Sequence, residues 1–168
     1  MADCGIDVAE GGVISESARP AGIADVEIMA LLAEAGIAEQ VDSRGGSIWH
    51  RREARALPAV DDLAAAVSAS DQFAVVGTID GVVIGYGTVA TETLRDGALL
   101  ARVIDLFVDP GARKVGVGEA MMDLLVAQAE EWGCIGIDTV VLPGNRDTKN
   151  FFESYGLVAR NLTVHRSF

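Results

Sequence analysis

Cysteine is nearly absent: Cys4 and Cys134 are the two in 168 residues, and neither has metal-ligand spacing around it. A disulfide framework is therefore not expected, a cytoplasmic location is, and Cys134 reads as a small core hydrophobe. Basic charge is also scarce. The chain has 13 Lys and Arg against 25 Asp and Glu, a formal net charge of −12. That balance argues against nucleic-acid binding, since neutralising phosphates needs a basic face. A cationic partner such as an amine suits it better. Long apolar runs are missing too. The longest apolar region, Phe73 to Ala90, is broken by Asp80-Gly81 and further glycines, so no membrane span is expected. Met1 to Gly12 has three acids, no basic cluster and no apolar core, so no signal peptide is expected. His50 and His165 stand alone, without metal or triad partners, and no metal is expected.

What remains suits one globular unit. Half of the residues are hydrophobic, which gives residues 13–168 a sizeable core behind a flexible stretch, residues 1–12. Val13 to Arg19 alternates as a first strand. Pro20 then opens a helix whose apolar face is Ile23, Val26, Ile28, Leu31 and Leu32, ending at Gly36. Asp61 or Asp62 caps a helix through about Ser68. Phe73–Ile79 and Val82–Thr91 flank Asp80-Gly81, a hairpin signal. Arg95-Asp96-Gly97 turns the chain into a strand, Arg102 to Val108. A long helix follows, from about Glu119 to Trp132, then a short strand Ile137–Leu142 and a two-turn helix ending near Gly156. Leu157–Ala159 and Leu162–His165 read as closing strands. Hairpins followed by strand–helix units imply a mixed α/β sheet with helices on both faces.

The chemistry concentrates in two places. Asp109-Pro110-Gly111-Ala112-Arg113-Lys114-Val115-Gly116-Val117-Gly118 joins a strand to a helix. Gly116 and Gly118 let main-chain N–H groups approach a ligand, and the following helix adds unpaired N–H groups and a positive dipole end. Arg113 and Lys114 add charge, so the turn suits a diphosphate. A P-loop would need Lys-Ser/Thr after the last glycine, where Glu119 stands; a dinucleotide fingerprint would need a third glycine, where Met121 stands. Downstream, Asn145 opens the segment through Phe151, Phe152, Glu153, Ser154, Tyr155, Gly156 and Leu157.

Together the two segments resemble the GCN5-related N-acetyltransferase (GNAT) superfamily. Arg113, Gly116 and Gly118 match its Arg/Gln-x-x-Gly-x-Gly/Ala acetyl-CoA loop. Asn145, Phe151, Glu153, Gly156 and Leu157 match its second motif without gaps, with Thr148 in place of the usual Ala. The resemblance covers residues 73–166, and residues 13–36 in pattern only. It implies a mixed, mostly antiparallel sheet with the fourth and fifth strands splayed to admit the pantetheine arm. It also implies acetyl-CoA as cosubstrate, held by the main chain of Phe107 and Val108, by Arg113 to Glu119 (Val115 and Val117 included), by Asn145 and by Lys149 at the adenosine end. Trp49 and Arg52 would contact the acceptor, a small-molecule or peptide amine. The assembly would be a monomer or a homodimer.

Acetyl transfer to an amine needs the amine neutral, the thioester oriented and a donor for the oxyanion. A Lys-like amine, with a pKa near ~10.4, is mostly charged at neutral pH, so a carboxylate must take its proton. Asp105, an acid in an apolar strand, is the candidate base, with Glu92 as the alternative. The superfamily often has a proton-donating Tyr where this chain has Phe152; Tyr155 is then the candidate acid. A direct transfer with both substrates bound is the expected activity. The alternative is an acyl-CoA-binding sensor with little turnover.

Overall fold

Five strands make one sheet in sequence order: β1 (Glu16–Pro20), β2 (Gln72–Ile79), β3 (Val82–Thr93), β4 (Leu99–Val108) and β5 (Ile137–Asp138). This computed structural model describes residues 15–168. Residues 1–12 and the expected strand start at Val13 lie outside the described residues. The first three pairings are antiparallel and β4–β5 is parallel. The β2–β3 turn forms as its chemistry predicts, with Asp80 and Gly81 both in left-handed backbone, φ 49° and 80°.

Helices cover both faces. On one lie α1 (Val26–Val41), α2 (Gly46–Arg52) and α3 (Val60–Ser68); on the other lie α4 (Val117–Glu131) and α5 (Arg146–Ser154). Strand alternation assigns the two cores: Ala74, Val76 and Tyr86 meet α1 and α3, whereas Val75, Val89 and Val103 meet α4. Met121, Met122 and Leu125 of α4 are completely buried. Burial of each contributes roughly 1.5–3 kcal/mol. No helix among the described residues is long and apolar enough to cross a membrane.

The observed order is βαααβββαβα, and it corrects three expectations. The first helix does not end at Gly36 but runs on to Val41; Val26 and Leu32 are buried as expected, with Met29, Ala30, Ala33 and Ile37 beside them, whereas Ile23 and Leu31 are exposed. Gly36 is there for packing: a Cβ would stand 2.9 Å from the Phe107 ring. Gly46–Arg52 forms a further helix, which the expected order lacks. The strand expected at Ile137–Leu142 has two residues, and Leu157–Ala159 and Leu162–His165 form no strand. Val158, Leu162 and Val164 stay exposed. Alternation specifies a strand only where an edge pairs with it and a face is buried, and this segment has neither.

Candidate active site

The glycine turn is built from its own side chains upward. The Asp109 carboxylate accepts from the Gly111 N–H at 2.9 Å, and Pro110–Ala112 make a single 3₁₀ turn. Lys114 and Gly116 then both take left-handed backbone, φ 67° and 100°. Gly116 is the N-cap of α4, and the first intrahelical bond runs from Ala120 N–H to its carbonyl at 2.9 Å. Val117, Gly118 and Glu119 therefore lack intrahelical acceptors and point their N–H groups out of the helix start. This is a cradle an anion fits. Arg113 does not stand in it. Its guanidinium grips the Glu39 carboxylate of α1 at 2.7 and 2.9 Å, its Nε donates to the Val108 carbonyl at 2.9 Å, and it lies 5.4 Å from the Phe107 ring centre. Lys114 is exposed and has no ion-pair partner among the described residues.

Before this turn, β4 carries one residue too many. Thr88 pairs with Asp105 and Val89 with Val103, which leaves Ile104 as a bulge. The bulge reverses the alternation on both sides of it. Ala101 and Val103 pack into the α4 core, whereas Phe107 packs into the α1 core. Arg102 and Asp105, three residues apart, consequently share the α1 face; unbroken alternation would put them on opposite faces.

Main-chain groups switch in the same way. Ala101 donates to the Gly136 carbonyl on the β5 side at 3.0 Å, and Thr139 Oγ1 reaches the Val103 carbonyl at 3.5 Å. Beyond the bulge, Asp109 N–H donates to Ile84 of β3 at 2.8 Å. Alternation then turns the N–H of Phe107 toward β3 and those of Leu106 and Val108 toward the other side. The Arg113 bond to the Val108 carbonyl fits that assignment. On that side β5 pairs only at Ala101 and Arg102, so the two strands splay and the edge from Leu106 to Val108 is open. The N–H of Phe107, expected to hold the pantetheine arm, is by this alternation turned toward β3.

A cleft of about 400 Å³ lies over this face. Trp49, Arg52, Asp105, Phe107 and Asn145 line it, all foreseen from sequence, together with Arg55, Tyr86, Arg102, Thr148 and Phe152. None of residues 113–119 lines it; the glycine turn lies past the end of β4. Asp105 is held tightly. Its Oδ2 accepts from Arg55 Nη2 at 2.6 Å, from Arg55 Nε at 3.1 Å and from Thr88 Oγ1 at 2.7 Å. Both side chains of the ion pair are largely buried, 9% and 13% exposed. The nearby Tyr86 phenol is pushed far above its usual range, first by burial and then by the Asp105 charge, with Arg55 opposing. It stays protonated and keeps an O–H to donate.

Other foreseen residues fall elsewhere. The Tyr155 hydroxyl donates to the Glu119 carbonyl at 2.9 Å and to Asp123 Oδ1 at 3.0 Å, outside the cleft lining. Burial and the Asp123 hydrogen bond push it up to about 12. Lys149 pairs with Glu153 one turn along α5, also outside the cleft. Asn145 caps α5, its side-chain oxygen accepting from Thr148 N–H at 3.3 Å. Glu92 is exposed near the far end of β3. Arg55, Tyr86 and Thr88 went unseen in the sequence because their partner, Asp105, is up to 50 residues away.

This sheet, splayed at its fourth and fifth strands and flanked by a helix start rich in free N–H groups, defines an acyltransferase-type fold. The acetyltransferase (GNAT) family model matches residues 39–157, and the chain belongs to that family, whose members use acetyl-CoA as cosubstrate. The L-2,4-diaminobutyric acid acetyltransferase of Streptomyces avermitilis is 35% identical over 83 residues, which are 49% of this chain and 45% of that protein. The match thus spans less than half of that relative's length. Among solved structures, a tetramutant of a Bacillus halodurans protein superposes with a TM-score of 0.75 at 20% identity, covering 90% of this chain and 99% of that one. A GCN5-related N-acetyltransferase from Ralstonia eutropha superposes with a TM-score of 0.69 at 17% identity, covering 91% and 99%. These two likenesses show the shared fold.

Proposed function

We propose that this protein is an acetyl-CoA-dependent N-acetyltransferase that acetylates a primary amine by direct transfer, with the coenzyme along the open β4 edge and the amine in the cleft. The observation that carries this reading is the open β4 edge. It runs from an acid-bearing cleft at Leu106 to the unpaired N–H groups at the start of α4. When bound, acetyl-CoA supplies the activated acetyl group as a thioester.

The chain's own residues then divide the work. The N–H groups of Val117, Gly118 and Glu119, with Gly116 and the Lys114 charge, suit the diphosphate; Val115 borders them. Leu106 and Val108 N–H groups suit the pantetheine arm and the thioester carbonyl, and the Asn145 amide can donate to the same arm. Asp105 takes the proton of the incoming ammonium, directly or through water, from the side of the carboxylate that Arg55 and Thr88 leave open. Phe152 has no proton to donate and Tyr155 is turned to Asp123, so the departing thiolate is left to solvent. Trp49 and Tyr86 wall the acceptor side. The relative named for a small diamino acid supports a small amine as acceptor.

Gly118→Asp tests the reading. An acid at the second position of a helix suits its dipole, and a Cβ there makes ordinary contact with Phe151 at 3.5 Å. The added charge repels a diphosphate. Calorimetry should show acetyl-CoA binding to the wild type and none to the variant, at an unchanged melting temperature. Equal binding by both refutes the assignment.

A second reading draws on the grip of Arg55 and Thr88 on Asp105 and on the missing donor at Phe152: a sensor that binds acyl-CoA with little turnover. Thiol release across an amine panel separates the two, since a sensor binds acetyl-CoA and releases no CoA with any acceptor.

A further inference from the structure

The cleft is basic in an acidic molecule. Its lining holds Arg52, Arg55 and Arg102 against Glu53 and Asp105, in a chain of formal net charge −12. Arg55 is neutralised by Asp105, and Arg52 lies 3.4 Å from Glu53. Arg102 is different. Its natural partner is Asp138, its neighbour in the β4–β5 register. That carboxylate is taken by Arg160, whose Nε donates to both of its oxygens at 2.9 and 3.0 Å. Arg102 therefore has no ion-pair partner among the described residues, although it is half-buried.

A partly desolvated guanidinium facing a cleft favours an anion there, held bidentately when the anion is a carboxylate. The diphosphate of a bound coenzyme is not that anion. Arg102 precedes Val108 by six residues, roughly 20 Å of strand, and the glycine turn lies farther still. The anion must come from the acceptor. The bulge at Ile104 sets Arg102 on the same face as Asp105, under ~10 Å away along the strand, so the cleft offers a carboxylate site and an ammonium site within one small molecule's length.

We propose that the acceptor is an amine that also bears a carboxylate, and that Arg102, assisted by the more exposed Arg52, binds that carboxylate while the amine meets Asp105. The proposal rests on the N-acetyltransferase reading and adds the substrate class and its specificity-determining residue. It makes amino acids with a side-chain amine good acceptors and simple diamines poor ones.

Matched pairs test this: 2,4-diaminobutyrate with 1,3-diaminopropane, ornithine with putrescine, and lysine with cadaverine. Members of each pair differ by the carboxylate alone. Acetyl-CoA binding is measured first by calorimetry, and its absence overturns the acetyltransferase reading and this inference together. With binding present, kcat/KM from CoA release should favour the carboxylate-bearing member of at least one pair by about tenfold or more, the effect of one charge-assisted hydrogen bond. Arg102→Gln should bring that ratio toward one, and Arg102→Lys should retain part of it. Equal rates within every pair, no turnover of any member, or a ratio unchanged in Arg102→Gln overturns the inference while leaving coenzyme binding as it stands. The wild-type ratio needs no variant, so a misfolded Arg102→Gln protein does not shield the proposal.

Discussion

Replacing Arg55 with Met should destabilise the whole fold, because it strands a buried charge. The Arg55–Asp105 pair is short, 2.6 Å, and both side chains are about nine-tenths buried. Arg55 comes from the segment between α2 and α3, and Asp105 from the middle of the sheet, so the pair fastens that segment to β4. Removing one partner of such a pair costs about 3–5 kcal/mol, chiefly because the other charge is left desolvated. The cleft admits water to Asp105, which places the expected cost at the low end, near ~3 kcal/mol. For a domain of this size that is a fall of about 6–12 °C in Tm. Met keeps the length and apolar stem of Arg, so lost packing contributes little. The Asp105→Asn partner closes a double-mutant cycle. With the charge gone, Arg55→Met should cost much less, giving a coupling of roughly 1–3 kcal/mol. Urea denaturation of the four proteins reads the cycle directly. A variant melting within ~2 °C of wild type, against the 2–4 °C expected per kcal/mol, or four stabilities that simply add, would refute the account of Asp105 as a carboxylate held by a buried cation.

Other outcomes follow from the packing and the charges. Gly36→Ala should destabilise by about 1–2 kcal/mol, since overpacking against the Phe107 ring outweighs the better helix propensity of Ala; a rise in Tm would show that the ring yields. Asp25 accepts from Arg19 at 2.7 and 2.8 Å and from Gly22 N–H at 2.8 Å, and the Arg19 hydrogen bond holds its carboxyl below the usual carboxylate value of 3.8 despite burial. A lowered folded-state pKa stabilises the native state above the unfolded-state value and is lost as pH falls through the folded one. Asp25→Asn should thus cost about 2 kcal/mol at pH 7, with the gap to wild type closing only below pH 3.8. A gap that is the same in acid and at neutrality would contradict this. The Gly118→Asp and Arg102→Gln outcomes given above complete the set.

Local chemistry determined a good deal by itself. The Asp80-Gly81 hairpin and the strand–turn–helix at Asp109 to Gly118 each depend on residues close in sequence, where backbone preference and side-chain reach settle the conformation. Those short-range rules were enough to read the family and to place the hairpin, the β4 strand and the long helix α4. They could not find the end of α1, because Gly36 looks like a terminator until the Phe107 ring is seen against it. They could not exclude closing strands after α5, since pairing needs an edge that β5 does not extend. Nor could they show that Arg113 pairs with Glu39 and the Val108 carbonyl. The cleft itself was decided by tertiary structure: one bulged residue, Ile104, set by the register of β3 on β4, reverses which side chains and which N–H groups face inward. Register is a long-range quantity, fixed by how two strands bury their faces together, and so Arg102 beside Asp105 is visible only once the sheet is assembled.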